Sequence, residues 1–350
     1  IILFSQQEPD SVVILTRHGS RSPMIKYPND QSLWNCSPMI YNYKSKRDSP
    51  KSMINVKFDI KNQYNGTCAT GQLSEIGFQQ HQMLSILWKK LYPSLVHQSF
   101  FRSTSVHRVQ LSLAGQIEQI QPKSQIILAH IASKNLEDLV TPDNCPAYGK
   151  YVNQVYKDMG SRYRSQDLKR IQQYINWPNI GWDYLGDNFK CRDAMGVKYP
   201  TNILLEDAEL AKSMLELTWR ENHCLYQNNE KRKNFIKMAI GASIKNILTY
   251  LHNQSFTIVS TQDLTLTPYG AILFDDDEWS CGQVGFASFL SIERFNEDIK
   301  IKFREGSKGD GQYMKIKPCG QYICSISVLT QYLAQFIISR QERDELCQQQ

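Results

Sequence analysis

The feature that most constrains this sequence is a charged loop that follows an apolar run near the start of the chain. Residues 12–16 (VVILT) are apolar and largely β-branched, which predicts a buried strand, and the glycine and proline after them predict a turn out of it. Residues 17–23 read RHGSRSP, so His18 stands between Arg17 and Arg21. Two guanidiniums can bind one dianion bidentately, and an imidazole between them can attack it. The alternative interpretation is a strand-end loop whose arginines only form surface ion pairs.

Polar residues also follow two later strands. Strands and helices alternate along the chain, which predicts an α/β fold with a mainly parallel central sheet flanked by helices. Arg102 follows a short strand that ends at Phe101, and Gln262 and Asp263 follow a strand at residues 256–260. Because ligands bind at the carboxyl ends of strands in open α/β sheets, we expect these residues to converge with the first loop. Taken singly, Arg102 suits a surface position at a helix cap, and Asp263 suits an N-cap.

The middle of the chain has a different character. Between residues 140 and 235 the apolar strand runs disappear, and Tyr, Asn, Lys and Trp recur at helical spacing. A chain of 350 residues allows two domains, or one large domain with an insertion. We predict an α/β core at residues 8–139 and 236–345, and a mostly helical cap inserted at 140–235. Other predicted elements are a helix capped by Ser74, a helix at 106–120, a strand at 126–128, hairpin strands at 286–295 and 299–304, and a last helix at 327–340.

Composition limits the environment and the partners of the chain. Nine cysteines indicate an oxidising compartment, and the absence of a Cys-x-x-Cys pair argues against a zinc site. The net charge of +6 favours anionic ligands, and the basic cluster at residues 44–47 is interpreted as a solvated loop rather than a nucleic-acid patch. No apolar run is long enough to cross a bilayer. Residues 1–4 are interpreted either as the end of a signal peptide or as a mature N-terminus.

Residues 24–70 form a long polar stretch that we expect to be irregular. Long loops in compact domains are usually functional or mobile. We predict that a disulfide between Cys36 and Cys68 closes this stretch. Sequons at Asn35, Asn65 and Asn253 indicate a glycoprotein, with modest weight because such triplets are common by chance.

Together these motifs resemble those of the histidine acid phosphatases. The first loop matches the family signature R-H-G-x-R-x-P. Residues 71–77 (GQLSEIG), with Gln80 and His81, are similar to the family stretch G-Q-L-T-x-x-G-x-x-Q-H. Residues 102–104 (RST), with Arg108, are similar to its R-S-T-x-x-x-R stretch. The resemblance spans nearly the whole chain.

The resemblance implies both a fold and an activity. The fold is a sheet domain with a helical cap, and the activity is hydrolysis of phosphate monoesters through a phosphohistidine intermediate. His18 is then the nucleophile, and Asp263 protonates the leaving alcohol. The phosphate-binding residues implied are Arg17, Arg21, Arg102 and Gln262. The resemblance implies a small-molecule phosphate monoester as partner. We further expect no cofactor, no metal and a secreted or lysosomal location, and we leave open whether the protein is a homodimer.

One residue departs from the family pattern. The family's second motif is His-Asp, and here Gln262 replaces the histidine before Asp263. A glutamine amide donates a neutral hydrogen bond and cannot carry a proton charge, so it holds a phosphoryl oxygen more weakly. Two interpretations therefore stand: an acid phosphatase weakened by Gln262, or a pseudophosphatase that binds a phospho-ligand or is structural.

The resemblance also implies a disulfide framework. Its pairs are Cys145–Cys347, Cys191–Cys281 and Cys319–Cys324, which leaves Cys224 unpaired. Each closed loop is expected to contribute about 2–4 kcal/mol to stability.

Overall fold

A central sheet carries the polar strand ends that the sequence singled out. The computed structural model describes residues 8–36, 40–44, 53–57, 64–121, 127–133, 136–142, 145–162, 164–225 and 229–349. Its strands are β1 (Ser11–Arg17), β2 (Leu33–Trp34), β3 (Ile40–Lys44), β4 (Met53–Lys57), β5 (Asn65–Gly66), β6 (Ser99–Ser103), β7 (Ala129–Ile131), β8 (Phe256–Thr261), β9 (Phe289–Phe295), β10 (Asp298–Arg304), β11 (Gln312–Met314) and β12 (Cys324–Ser325).

Helices flank this sheet and fill the middle of the chain. They are α1 (Glu75–Leu91), α2 (His107–Ile120), α3 (Pro146–Arg162), α4 (Ser165–Tyr174), α5 (Trp182–Met195), α6 (Leu205–Arg220), α7 (Asn229–Ile236), α8 (Ala242–Asn253), α9 (Asp263–Leu273), α10 (Ile326–Leu333) and α11 (Arg340–Gln348). Within the described ranges, no helix combines the length and the apolar character that a membrane span requires.

The sheet is parallel in its middle and antiparallel at one side. In the described part of the chain, eight strands are ordered β11-β10-β9-β1-β8-β6-β7, with β12 paired to β10. Strands β1, β8, β6 and β7 are mutually parallel, while β9 to β12 pair antiparallel. The predicted α/β fold class is confirmed, and so is the hairpin, now placed at β9 and β10.

Strand β1 is buried on both faces, which explains its unbroken apolar sequence. Side chains alternate between the faces of a strand. Val13 and Leu15 therefore pack in a cluster with residues of α8 and α9, whereas Val12 and Ile14 pack with residues of α1 and α2. Full burial of each such side chain stabilises the fold by about 1.5–3 kcal/mol. This packing fixes where β1 ends, and hence where the charged loop begins.

Two elements differ from the sequence-based prediction. The strand expected at 126–128 starts at Ala129 instead, and residue 126 lies outside the described residues. The last helix, expected at 327–340, is divided into α10 and α11. The chain leaves α10 so that the backbone of residues 336–338 can pack against Gly241, with the Ile338 N–H 3.4 Å from the Gly241 carbonyl oxygen. Ser339 then starts α11 with a capping box to Glu342.

Residues 146–236, called the helical segment below, contain helices α3 to α7. These helices share an apolar cluster that includes Leu185, Phe189 and Phe235. Tyr27, from the early loop, and Cys347, from α11, complete this cluster. Whether the helical segment is a domain of its own stays a prediction.

Three of the four predicted disulfides are present, and the fourth is wrong. The structure contains Cys36–Cys68, Cys145–Cys347 and Cys319–Cys324, as expected, but pairs Cys281 with Cys224. Cys191 is therefore the unpaired cysteine among the described residues. It lies on the buried side of α5, with its Sγ 3.4 Å from an Nη1 of Arg21, and this position takes it into the site rather than toward Cys281.

Candidate active site

The start of α1 packs against the charged loop and holds it in place. A Cβ on Gly19 would lie 2.2 Å from the Gly77 carbonyl oxygen, and a Cβ on Gly77 would lie 2.2 Å from the Ser20 carbonyl oxygen. Glycine is therefore required at both positions, because the two backbones touch. Gln80 accepts a hydrogen bond from the Ser20 N–H at 2.9 Å. The motif at residues 71–81 thus acts as the support for the motif at 17–23.

His81 fixes the strand end just before the candidate nucleophile. Its Nε2 lies 3.1 Å from the Arg17 carbonyl oxygen, and its Nδ1 lies 3.0 Å from Nε2 of Gln116. Because the Gln116 amide nitrogen can only donate, His81 carries its proton on Nε2 and donates it to Arg17. Burial lowers the pKa of His81 to about 3, so this ring stays neutral and structural at acidic pH.

His18 is buried with one ring nitrogen committed. It is 1% exposed, and its Nδ1 lies 2.8 Å from the Gly19 carbonyl oxygen. A carbonyl can only accept, so Nδ1 carries the proton and Nε2 keeps its lone pair. Burial, and then the positive charges of Arg108, Arg17 and Arg21, lower the pKa of His18 well below its ordinary value. The ring is therefore a neutral nucleophile even in acid.

Three arginines, called the site arginines below, surround His18: Arg17, Arg21 and Arg108. Each has at least one terminal guanidinium nitrogen in a hydrogen bond or ion pair. Arg17 contacts Asp263 at 2.7 Å and donates to the Val284 carbonyl. Arg21 donates to both carboxylate oxygens of Asp187, at 2.8 and 3.2 Å, and Arg108 donates to Gln262 at 3.3 Å.

Unlike the terminal nitrogens, the Nε atoms of the site arginines have no hydrogen-bond partner among the described residues, and all three are buried. Buried donors are rarely left unpaired, and each unpaired donor lowers the stability of the fold by about 1–3 kcal/mol.

The site arginines also carry their charge under the conditions of interest. Burial and the charge of Arg21 lower the pKa of Arg108 to about 10, which leaves it cationic at acidic and neutral pH. The cluster is thus suited to an oxyanion with several oxygens.

Arg102 does not join this cluster, contrary to the sequence-based prediction. Phe101 packs on the face of the sheet that α1 and α2 cover, so the next side chain, Arg102, points to the opposite face. There its Nη2 contacts Glu137 at 2.6 Å and Asp138 at 3.1 Å. Its guanidinium forms a buried ion-pair cluster. Arg108, the second residue of α2, faces His18 instead.

Gln262 and Asp263 lie at the end of β8, next to the end of β1. Gln262 is the N-cap residue of α9, and Asp263 is its first helical residue rather than the cap. Burial alone would raise the pKa of Asp263, but the site arginines together lower it below its ordinary value. Without an anion in the site, Asp263 is therefore a carboxylate, paired with Arg17.

Several residues of the site carried no clear sequence signal. Phe286 lies 4.4 Å below the Arg17 guanidinium and 5.8 Å from the His18 ring, and forms an aromatic wall. Asp187 reaches Arg21 from α5, and Gln283 reaches Asp263 from the loop before β9. Only Arg108 had a signal, in the R-S-T-x-x-x-R spacing. Across the described residues, no group of three His, Cys, Asp or Glu side chains is placed to hold a metal ion.

Comparison with known proteins assigns this chain to a family. The family model described as "Histidine phosphatase superfamily (branch 2)" matches residues 10–189 of this chain, slightly more than half of it. The chain belongs to this superfamily. Among curated proteins, Counting factor 60 of Dictyostelium discoideum is 29% identical over 364 residues, which cover 90% of this chain and 83% of that protein.

Solved phytase structures share the fold. The phytase of Citrobacter braakii aligns with a TM-score of 0.61 at 15% identity, covering 97% of this chain and 99% of that one. The phytase of Klebsiella sp. ASR1 aligns with a TM-score of 0.59 at 12% identity, covering 95% and 96%. At such identities the likeness establishes the fold of this chain and leaves its activity and substrate open.

Proposed function

We propose that this histidine phosphatase hydrolyses phosphate monoesters at acidic pH through a phosphohistidine on His18. The observation that supports this most strongly is the positive charge of Arg17, Arg21 and Arg108 gathered around a neutral imidazole whose Nε2 is unprotonated. Family membership supports phosphatase chemistry in general. The four disulfides suit the oxidising secretory pathway, where we place the protein.

The proposed reaction has two steps. The phosphoryl oxygens of the ester bind the site arginines, which stabilise the charge that spreads over these oxygens in the transition state. The lone pair of His18 Nε2 forms a bond to phosphorus while the P–O bond to the alcohol breaks, and Asp263 gives its proton to the departing oxygen. Water then attacks phosphorus, Asp263 takes a proton from it, the N–P bond breaks, and phosphate leaves.

Asp263 must gain a proton before it can act as an acid. In the free protein the site arginines lower the pKa of this carboxyl. A bound phosphoryl group neutralises those guanidiniums and brings negative charge close to Asp263, which raises its pKa. The substrate binds as its monoanion and supplies the proton that Asp263 needs. The productive complex therefore carries one proton, shared between the phosphoryl group and Asp263.

The pH dependence of turnover tests the proposal. Phosphate monoesters lose their second proton near pH 6, so we expect kcat/KM to fall about tenfold per pH unit above roughly pH 6. The loss at the acidic side should begin well below pH 6.5, because His18 stays neutral there. Hydrolysis of p-nitrophenyl phosphate from pH 3 to 8 measures both limbs. An optimum above pH 7 would contradict the proposal.

A pseudophosphatase is the second candidate function, and Gln262 is the observation that favours it. The Gln262 amide accepts from Arg108, so it can orient a guanidinium without contributing charge. If the protein is a pseudophosphatase, calorimetry should show that inorganic phosphate binds, and no ester should be hydrolysed at any pH.

Substitution of Gln262 by histidine distinguishes these candidates further. Gln262→His introduces a group that can be positively charged as the phosphoryl group transfers, and we expect kcat to rise about tenfold with KM little changed. Gln262→Leu is the control, which removes the amide and adds no charge. If Gln262→His is neutral or harmful in an active protein, the Gln262–Arg108 contact already serves the role of the family histidine.

A further inference from the structure

The carboxylate of Asp263 has two unequal oxygens. Oδ2 accepts from the Arg17 guanidinium at 2.7 Å and from Nε2 of Gln283 at 2.8 Å. Oδ1 accepts only from the backbone N–H of Leu264, at 2.9 Å, among the described residues. Donors on Oδ2 stabilise negative charge there, so the proton of the acid form resides on Oδ1.

The direction of the Gln283 amide decides this asymmetry. An amide oxygen and an amide nitrogen have nearly the same shape, so only their partners fix which one faces Asp263. Nζ of Lys190 lies 3.1 Å from Oε1 of Gln283, and an ammonium can only donate. Lys190 therefore holds the oxygen, and the nitrogen must face Asp263.

Glu216 holds the same residue from its other end. Its Oε2 accepts from the Gln283 backbone N–H at 2.9 Å, and its Oε1 pairs with Lys190. Lys190 lies on α5 and Glu216 on α6, so both belong to the helical segment. Gln283 itself is 7% exposed and has little freedom to rotate.

We propose that Lys190 is a positioning residue for the proton donor and acts through Gln283. This inference rests on the proposed function, in which Asp263 protonates the leaving alcohol. Without Lys190 the amide can turn over and present its oxygen to Oδ2. A proton on Oδ2 can then donate to this amide oxygen. The acid proton of Asp263 therefore shifts from Oδ1 to Oδ2, away from the departing oxygen. The helical segment thereby controls which oxygen of Asp263 carries the proton.

The dependence of the rate on the leaving group tests this role. p-Nitrophenolate departs without a proton, whereas the alkoxide of an alkyl phosphate such as β-glycerophosphate does not. General acid catalysis contributes about 10²–10⁴ in rate, so Lys190→Met should lower kcat/KM for β-glycerophosphate by about tenfold or more. The same variant should change kcat/KM for p-nitrophenyl phosphate less than about twofold, since that constant reports the steps through transfer to His18.

Three further variants separate this role from a structural one. Lys190→Arg keeps a donor and should restore much of the β-glycerophosphate rate. Gln283→Leu should show the same selective loss, and the double variant with Lys190→Met should lose no more than either single one. Lys212→Met is the matched control, because Lys212 pairs with Asp193 and Glu209 within the same helical segment. It should leave the ratio of the two kcat/KM values unchanged.

Titration of the Asp263 carboxyl by NMR of ¹³C-labelled aspartate gives a readout that needs no activity. Both variants should raise the pKa of Asp263 toward its ordinary value, for different reasons. Gln283→Leu removes an amide donor to the charged form, whereas Lys190→Met lets the amide oxygen accept from the protonated form. An unchanged pKa, an equal loss on both esters or full additivity of the two substitutions would overturn the inference. A wild-type protein that hydrolyses neither ester while the pKa responds as expected overturns the proposed function and the catalytic role of Lys190, but upholds the Lys190–Gln283–Asp263 chain.

Discussion

Arg108→Met is expected to lower kcat/KM for p-nitrophenyl phosphate by about 10²–10³, the cost of losing one preorganised donor to a charged transition state. Arg108 has a buried Nε–H without a partner among the described residues and a single neutral contact, to Gln262. Its removal relieves repulsion from Arg17 and Arg21, so stability in urea should stay the same or rise slightly. Steady-state kinetics and urea unfolding on the same preparation measure both effects.

Arg102→Met is the matched control, and its expected effect is the reverse. It leaves the buried carboxylates of Glu137 and Asp138 without their guanidinium, which should cost about 3–5 kcal/mol of unfolding free energy. The folded fraction should retain kcat, since Arg102 lies on the other face of the sheet. A large kcat loss for Arg102→Met, with none for Arg108→Met, would restore the motif-based assignment.

His18→Ala should abolish turnover, by a factor of roughly 10⁴ or more, because no other nucleophile takes its place. Binding of inorganic phosphate should persist in calorimetry, since the three site arginines remain. His97→Ala replaces an exposed histidine outside the site and serves as the control. Hydrolysis that survives in His18→Ala at more than a tenth of the wild-type rate would contradict the assigned nucleophile.

The site residues that directly follow a predicted strand could be predicted from the sequence. Arg17, His18 and Arg21 follow a β-branched apolar run that predicts a buried strand, and Asp263 follows another. Their meeting at neighbouring strand ends was therefore predictable. The helix start at Ser74 was equally predictable, because its side chain accepts from the Gly77 N–H.

The wrong predictions concern residues whose position depends on a one-residue register or on contacts between distant segments. Arg102 and Arg108 both match the motif, and only the alternation of side chains along β6 sends Arg102 to the opposite face. The family resemblance pairs Cys191 with Cys281. The turn of α5 instead places Cys191 against Arg21, and Cys224 is the partner of Cys281. Asp187 and Gln283 reach the site from distant segments, so no local pattern could have marked them.

The most direct test of the account is to trap the covalent intermediate. A phosphate-labelled ester is mixed briefly with the protein near pH 5, quenched in alkali because phosphohistidine is labile to acid, digested and mapped. We expect one labelled peptide, modified at His18, with labelling absent in His18→Ala and reduced in Arg108→Met. Label on another residue, or steady turnover without any label, would contradict a phosphohistidine mechanism at this site.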